Sequence, residues 1–137
     1  MAFEGINYLA VVVAMVASYA FGAAYYMALA KPWMAALGKT EAEVKAGASP
    51  VVYGATAFAQ LIMAFMLAGV MGHLGAVGMG AVGGLTTGFF VWLGFVATTL
   101  VVNHGFQGAR RSLTLIDGAH WLGVLLIQGL VIGLFGL

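Results

Sequence analysis

Residues 46–109 read AGASPVVYGATAFAQLIMAFMLAGVMGHLGAVGMGAVGGLTTGFFVWLGFVATTLVVNHGFQGA and contain no Asp, Glu, Lys or Arg. A helix needs roughly 20 apolar residues to cross the hydrocarbon of a bilayer. The stretch is too long for one span and fits two, joined by a tight turn at His73-Leu74-Gly75. Outside it, residues 5–30 are uncharged, and after Arg111 only Asp117 interrupts an uncharged run to Leu137. Four spans follow, near 5–30, 50–72, 76–104 and 112–136. The apolar runs are continuous, whereas membrane barrel strands alternate apolar and polar over about 10 residues. The expected fold class is therefore an all-α membrane protein, one domain over residues 1–137, with four transmembrane helices in an antiparallel bundle.

Composition agrees. The chain has 137 residues, 64% hydrophobic and 7% charged, and its mean hydropathy is +1.08. A soluble domain carries about 25% charged residues. The net charge of +1 gives no reason to expect a nucleic-acid partner, and the absence of Cys excludes disulfides, thiolate catalysis and cysteine metal sites. Glu4 stands where a signal peptide would carry Lys or Arg, and the first apolar run exceeds an h-region. That span is expected to stay in the protein.

All five basic residues fall in two loops: Lys31, Lys39 and Lys45, then Arg110 and Arg111. With four spans, these loops share a side, and cytoplasmic loops are enriched in Lys and Arg. Both termini are expected on the non-cytoplasmic side of a bacterial inner membrane. Thr40-Glu41-Ala42-Glu43 fits a capping box, and Glu41 with Lys45 has the favourable i,i+4 order. A short cytoplasmic helix over about 41–47 is expected. Lys31 and Trp33 suit the headgroup layer, as do Arg110 and Arg111.

Close helix approach in lipid depends on small residues. Gly80-x-x-x-Gly84-x-x-x-Gly88, Ala14-x-x-x-Ser18-x-x-x-Gly22 and Gly129-x-x-x-Gly133 form such ridges. They serve packing within one bundle or self-association of copies. Gly54-Ala55, Gly69 and Gly72 match Gly118-Ala119, Gly133 and Gly136 at a constant offset, as a parallel internal repeat would.

Polar groups in the spans are few, and such groups face a bundle interior or a watery cavity. Asp117, His120, Val124 and Gln128 form one helical stripe. Asn103 and His104 close the third span, and Tyr25, Tyr26 and Tyr53 lie at the depth of Asp117. These residues define a candidate intramembrane polar cluster. In one reading, Asp117 accepts hydrogen bonds from Asn103, a tyrosine or His120 and fixes helix register. In a second, Asp117 and His120 form a proton-responsive pair. In a third, they bind a metal together with His104. A fourth is a lipid-headgroup or quinone pocket with Arg110, Arg111 and Trp121. Gln60 is expected to bond a neighbouring helix, Trp92 to pack or face lipid, and Asn7 to be solvated. No hydrolase elbow, P-loop, dinucleotide fingerprint or HExxH motif is present. No catalytic residue, cofactor or resident metal is assigned.

Asn7-Tyr8-Leu9-Ala10, Gly22 with Tyr25-Tyr26, and Lys31-Pro32-Trp33-Met34 resemble the opening of the bacterial family known as domain of unknown function 1761. Gly94-Phe95-Val96-Ala97-Thr98-Thr99, Val102-Asn103, and Ile116-Asp117-Gly118 with His120 resemble its second half. The family often has Trp at the Tyr8 position and an Asn-Ala-Gly-Tyr-like run where this chain has residues 117–120, so the resemblance assigns Asp117 and His120 no role. It implies a small four-helix inner-membrane protein and no activity. The expected function is a non-enzymatic multi-pass protein, either an accessory component of a membrane complex or a homo-oligomeric scaffold. The alternative is a small proton- or cation-coupled transporter or channel using Asp117 and His120. The bilayer is the expected partner in either case.

Overall fold

The computed structural model describes residues 3–136, and every regular element among them is helical. Helix α1 (Tyr8–Ala28) starts at Asn7, whose side-chain oxygen accepts from the Ala10 N–H at 3.1 Å. Asn7 is thus an N-cap that satisfies one of the helix's orphan donors. The helix is interrupted at Leu29, at φ −102° and ψ 20°, and α2 (Ala30–Leu37) follows. Pro32 sits in its first turn, where no N–H is needed. Gly38 ends α2 at φ 69°, and the Gly38 and Lys39 N–H groups bond back to Ala35 and Met34. That is the Schellman pattern, which needs a left-handed residue.

Helix α3 (Glu41–Gly47) opens on a full capping box between Thr40 and Glu43, and Lys45 pairs with Glu41 at 2.9 Å. Helix α4 (Pro50–Leu74) has Ser49 as N-cap and Pro50 in its first turn. A 3-10 turn over Gly75–Gly78 leads to α5 (Gly80–Val91). The connection therefore lies just beyond the expected His73-Leu74-Gly75. His73 belongs to the last turn of α4, because the positive φ values that turn the chain are taken by Gly75 and Gly80. A π-helical segment, Trp92–Ala97, joins α5 to α6 (Thr98–Gln107), and α7 (Arg111–Phe135) completes the chain. Among the described residues, four helical stretches are long and apolar enough to cross a membrane: Tyr8–Ala28, Pro50–Gly78, Gly80–Gln107 and Arg111–Phe135.

Helix α7 organises the packing. It lies closest to α5, then to α1, and also touches α4 and α2. Despite their short connection, α4 and α5 share few contacts; each packs mainly on another helix. The reason is glycine. A Cβ on Gly84 would overlap the Gly129 carbonyl, one on Gly88 the Leu125 carbonyl, and one on Gly133 the Gly80 carbonyl. Residue numbers fall along α7 as they rise along α5, so the two backbones run side by side in near contact. Such surfaces mate better with each other than with the bulky face of α4. Ala14, Ser18 and Gly22 of α1 are buried too. Gly84 and Gly88 of α5 and Gly129 and Gly133 of α7 are buried as well. The glycines of the proposed repeat have unlike surroundings: Gly69 faces the Phe3 ring, Gly133 the backbone of Gly80.

Ile6, Val11 and Ala14 pack with Ala64, Leu67, Ala68 and Met71 of α4 and Leu125 and Ile132 of α7 to form the apolar core. The third span is the least covered: 11% of its apolar window is buried, against 44% for the fourth.

Candidate functional site

The inner stripe of α7 carries the site. His120, Val124 and Gln128 are buried and Asp117 is half-buried. Helix α1 lies along this stripe with its small face, so the two helices approach closely and bring polar groups together at two depths.

At the first depth, the Tyr26 hydroxyl donates to Asp117 Oδ1 at 2.7 Å, and the Tyr25 hydroxyl donates to the Ile116 carbonyl at 2.7 Å. From the third span, the Trp92 indole N–H donates to the Gly118 carbonyl at 2.9 Å. A helical carbonyl has two lone pairs, so it accepts these bonds without giving up its own helical partner. Three consecutive residues of α7 are thereby held by two other spans. His120 lies one turn further in, 5% exposed. Its ring rests on Gly22, where a Cβ would come within 2.7 Å of Nε2. The rings of Trp121, Tyr26, Tyr25 and Phe21 surround it at centroid distances of 4.7, 4.8, 5.7 and 6.2 Å. Trp33 backs the layer, 5.2 Å from the Tyr26 ring. His120 Nδ1 has no hydrogen-bond partner among the described residues.

At the second depth, Ser18 Oγ and Gln60 Oε1 are 2.9 Å apart. The Gln128 amide donates at 3.1 Å to both Ser18 Oγ and the Gln60 carbonyl. This fully buried triad ties α1, α4 and α7 together at mid-span. Gln60 thus bonds neighbouring helices, and Gln128 belongs to this layer rather than to that of Asp117.

The remaining candidates lie apart. Asn103 is exposed on α6, and Tyr53 is exposed, its carbonyl accepting from the Tyr19 hydroxyl at 3.5 Å. His104 Nδ1 is 2.8 Å from Thr114 Oγ1. The Asp117 layer is therefore built from α1, α7 and Trp92, not from all four spans. The physical reason is the π segment. Its wider turn re-aims every face after Val91, which a 3.6-residue period cannot anticipate. The Thr98 and Thr99 hydroxyls donate to the Gly94 and Phe95 carbonyls across the end of this segment. With His104 on Thr114, the trio of Asp117, His120 and His104 does not assemble. Among the described residues, no group of three or more His, Cys, Asp or Glu could hold a metal. Lys31 and Arg111 are exposed, while an Arg110 Nη1 donor reaches the Ala35 carbonyl at the end of α2.

Trp92 and Ser18 were missed as site residues in the sequence. Their signals were an indole donor within an apolar span, which needs an acceptor, and a hydroxyl on the small face that meets α7. Tyr26→Phe removes the one side chain among the described residues that bonds Asp117 and is expected to lower stability by about 1–2 kcal/mol. Tyr53→Phe is expected to change nothing, and thermal unfolding in detergent compares the two.

The family model described as "Protein of unknown function (DUF1761)" matches residues 9–133, and the chain belongs to this family. No curated protein and no solved structure matches it.

Proposed function

We propose that this member of the DUF1761 family is a non-enzymatic, multi-pass protein of the bacterial inner membrane that serves as an accessory component of a larger membrane complex. The reading includes an antiparallel four-helix bundle with both termini non-cytoplasmic, supported by the opposite run of α5 and α7 and by the confinement of Lys and Arg to two loops. The observation that carries the accessory role is the contrast between spans. On α1, α4 and α7, Tyr26 bonds Asp117, and Ser18, Gln60 and Gln128 bond one another across the bundle. On α6, Asn103 is exposed and has no hydrogen-bond partner among the described residues, beside a Phe106 that is 93% exposed. A polar side chain on the uncovered flank of a span favours a protein partner over lipid. Ser18 and Ser49 do not act as nucleophiles in this reading, since one is tied to Gln60 and Gln128 and the other caps α4.

Gentle extraction from the native membrane followed by native mass spectrometry tests it. A stoichiometric foreign subunit, lost in Asn103→Leu, is the expected result. A particle containing only this chain overturns it.

A proton- or cation-coupled carrier is the second reading, favoured by the pairing of Asp117 with Tyr26 beside His120. Asp117→Asn separates the two. In a carrier, coupled flux in proteoliposomes disappears while the fold persists. In an accessory protein, the change is confined to a stability loss of about 1 kcal/mol, the value of one interhelical bond.

A further inference from the structure

We propose that His120 is an intramembrane proton-binding site, an imidazole held in an aromatic cage at the α1–α7 seam with Asp117 as its counter-charge. The inference concerns binding at equilibrium, so it rests on neither the accessory nor the carrier reading.

Burial and hydrogen bonding come first. A buried ring nitrogen without a partner is destabilising, and an apolar residue of similar size would avoid the penalty. His120 is buried with Nδ1 in that condition. A neutral ring with its proton on Nε2 leaves the Nδ1 lone pair unengaged and open to a proton.

The surroundings offer electrostatic partners to the ring once it is charged. Four aromatic rings stand within 4.7–6.2 Å of the imidazole, and aromatic rings within about 6 Å of a cation attract it. The groups facing His120 can be named element by element. Helix α7 contributes Asp117, three residues before it; α1 contributes the neutral Tyr25 and Tyr26. Trp33 of α2 lies behind Tyr26, and Trp92 of the third span donates to the carbonyl of Gly118, two residues before His120; both are neutral. Arg110 and Arg111 begin α7 about 14 Å along the axis from His120, and Lys31 is exposed on α2. Among the described residues, Asp117 is thus the one charged group that faces the ring.

The stripe offers the ring no nearby polar group towards mid-span. Towards mid-span the next side chain on the stripe is Val124, 0% exposed. The next polar station, Gln128 with Ser18, is about 12 Å along α7 from His120. Dry packing separates the two layers, which makes His120 a site and not a link in a conducting chain. Uptake adds one proton from water at the Arg110–Arg111 end to Nδ1. No other bond is made or broken, and the positive charge gained is balanced by the Asp117 carboxylate.

The test reads the ring directly. The chain has three histidines. The His73→Gln/His104→Gln double variant, labelled with 15N-histidine and reconstituted in nanodiscs, reports only His120 by NMR. On lowering the pH from about 8 to about 4.5, both ring nitrogens are expected to move to the imidazolium position in one step while circular dichroism shows an intact fold. Asp117→Asn in the same background is expected to reduce the protonated fraction on the slope by about tenfold, as loss of a nearby opposite charge does. Where the double variant fails to fold, the wild-type protein gives the same reading, its three signals assigned by single His→Gln changes. A ring that stays neutral across the range in the folded protein overturns the site. A step unmoved by Asp117→Asn overturns the counter-charge.

Discussion

Gly84→Ala is expected to lower stability by about 2–3 kcal/mol, the upper part of the usual range for overpacking a tight interior. The added methyl would overlap the Gly129 carbonyl oxygen and lie 2.6 Å from the Gly129 carbonyl carbon and 3.2 Å from the Leu130 nitrogen. These are backbone atoms of a helix, so none can rotate aside. The strain is relieved only by moving α5 away from α7 along its length, because Gly80 with Gly133 and Gly88 with Leu125 share the same seam. In lipid, that seam is held by van der Waals contact rather than by a hydrophobic drive, so separation forfeits what joins the two spans. Gly105→Ala is the control. Nothing lies within 4 Å of its added methyl, and removing a helical glycine is neutral or stabilises by up to about 1 kcal/mol. Thermal or denaturant unfolding in detergent measures both. Equal effects at the two positions would mean that α5 and α7 do not meet through their glycines.

Gln128→Ala is expected to cost about 2–4 kcal/mol. Two interhelical hydrogen bonds are lost, each worth about 0.6 kcal/mol on average and at most about 1.7. The larger part is the cavity left at the junction of α1, α4 and α7, where truncation of a buried side chain is poorly refilled. Gln128→Met separates the two contributions. It keeps the volume and removes Gln128 Oε1, a buried acceptor with no partner among the described residues. It strands nothing, since Ser18 still bonds Gln60 and the Gln60 carbonyl keeps its place in α4. Its expected cost is within about 1 kcal/mol. If Met proves as harmful as Ala, the amide donors rather than the packing hold the three spans.

The layer at Asp117 was partly legible in advance. The i,i+3,i+7,i+11 stripe marks the buried face of α7, and Tyr26 does reach Asp117. Asn103 and Tyr53 share its depth by counting along their helices, yet depth fixes only one coordinate. The azimuth of each helix depends on which partner it packs against. For Asn103, the π segment intervenes between the glycine ridge that sets the azimuth and the residue itself. The same limit explains Gln128, which lies on the Asp117 stripe but about three turns deeper, opposite Ser18 rather than the tyrosines.

The sequence by itself determined four long apolar helices, because runs of uncharged residues are read against one length, the thickness of the hydrocarbon. It also determined the local stops and starts: the Thr40–Glu43 cap and Pro50 in the first turn of α4 involve residues a few positions apart. Only the tertiary structure decided that α7 is the hub, that α5 pairs with it instead of with α4, and that His120 sits on Gly22 among four rings. Those outcomes depend on the fit of whole helix faces, a property of several spans together that the order of residues in one span does not contain.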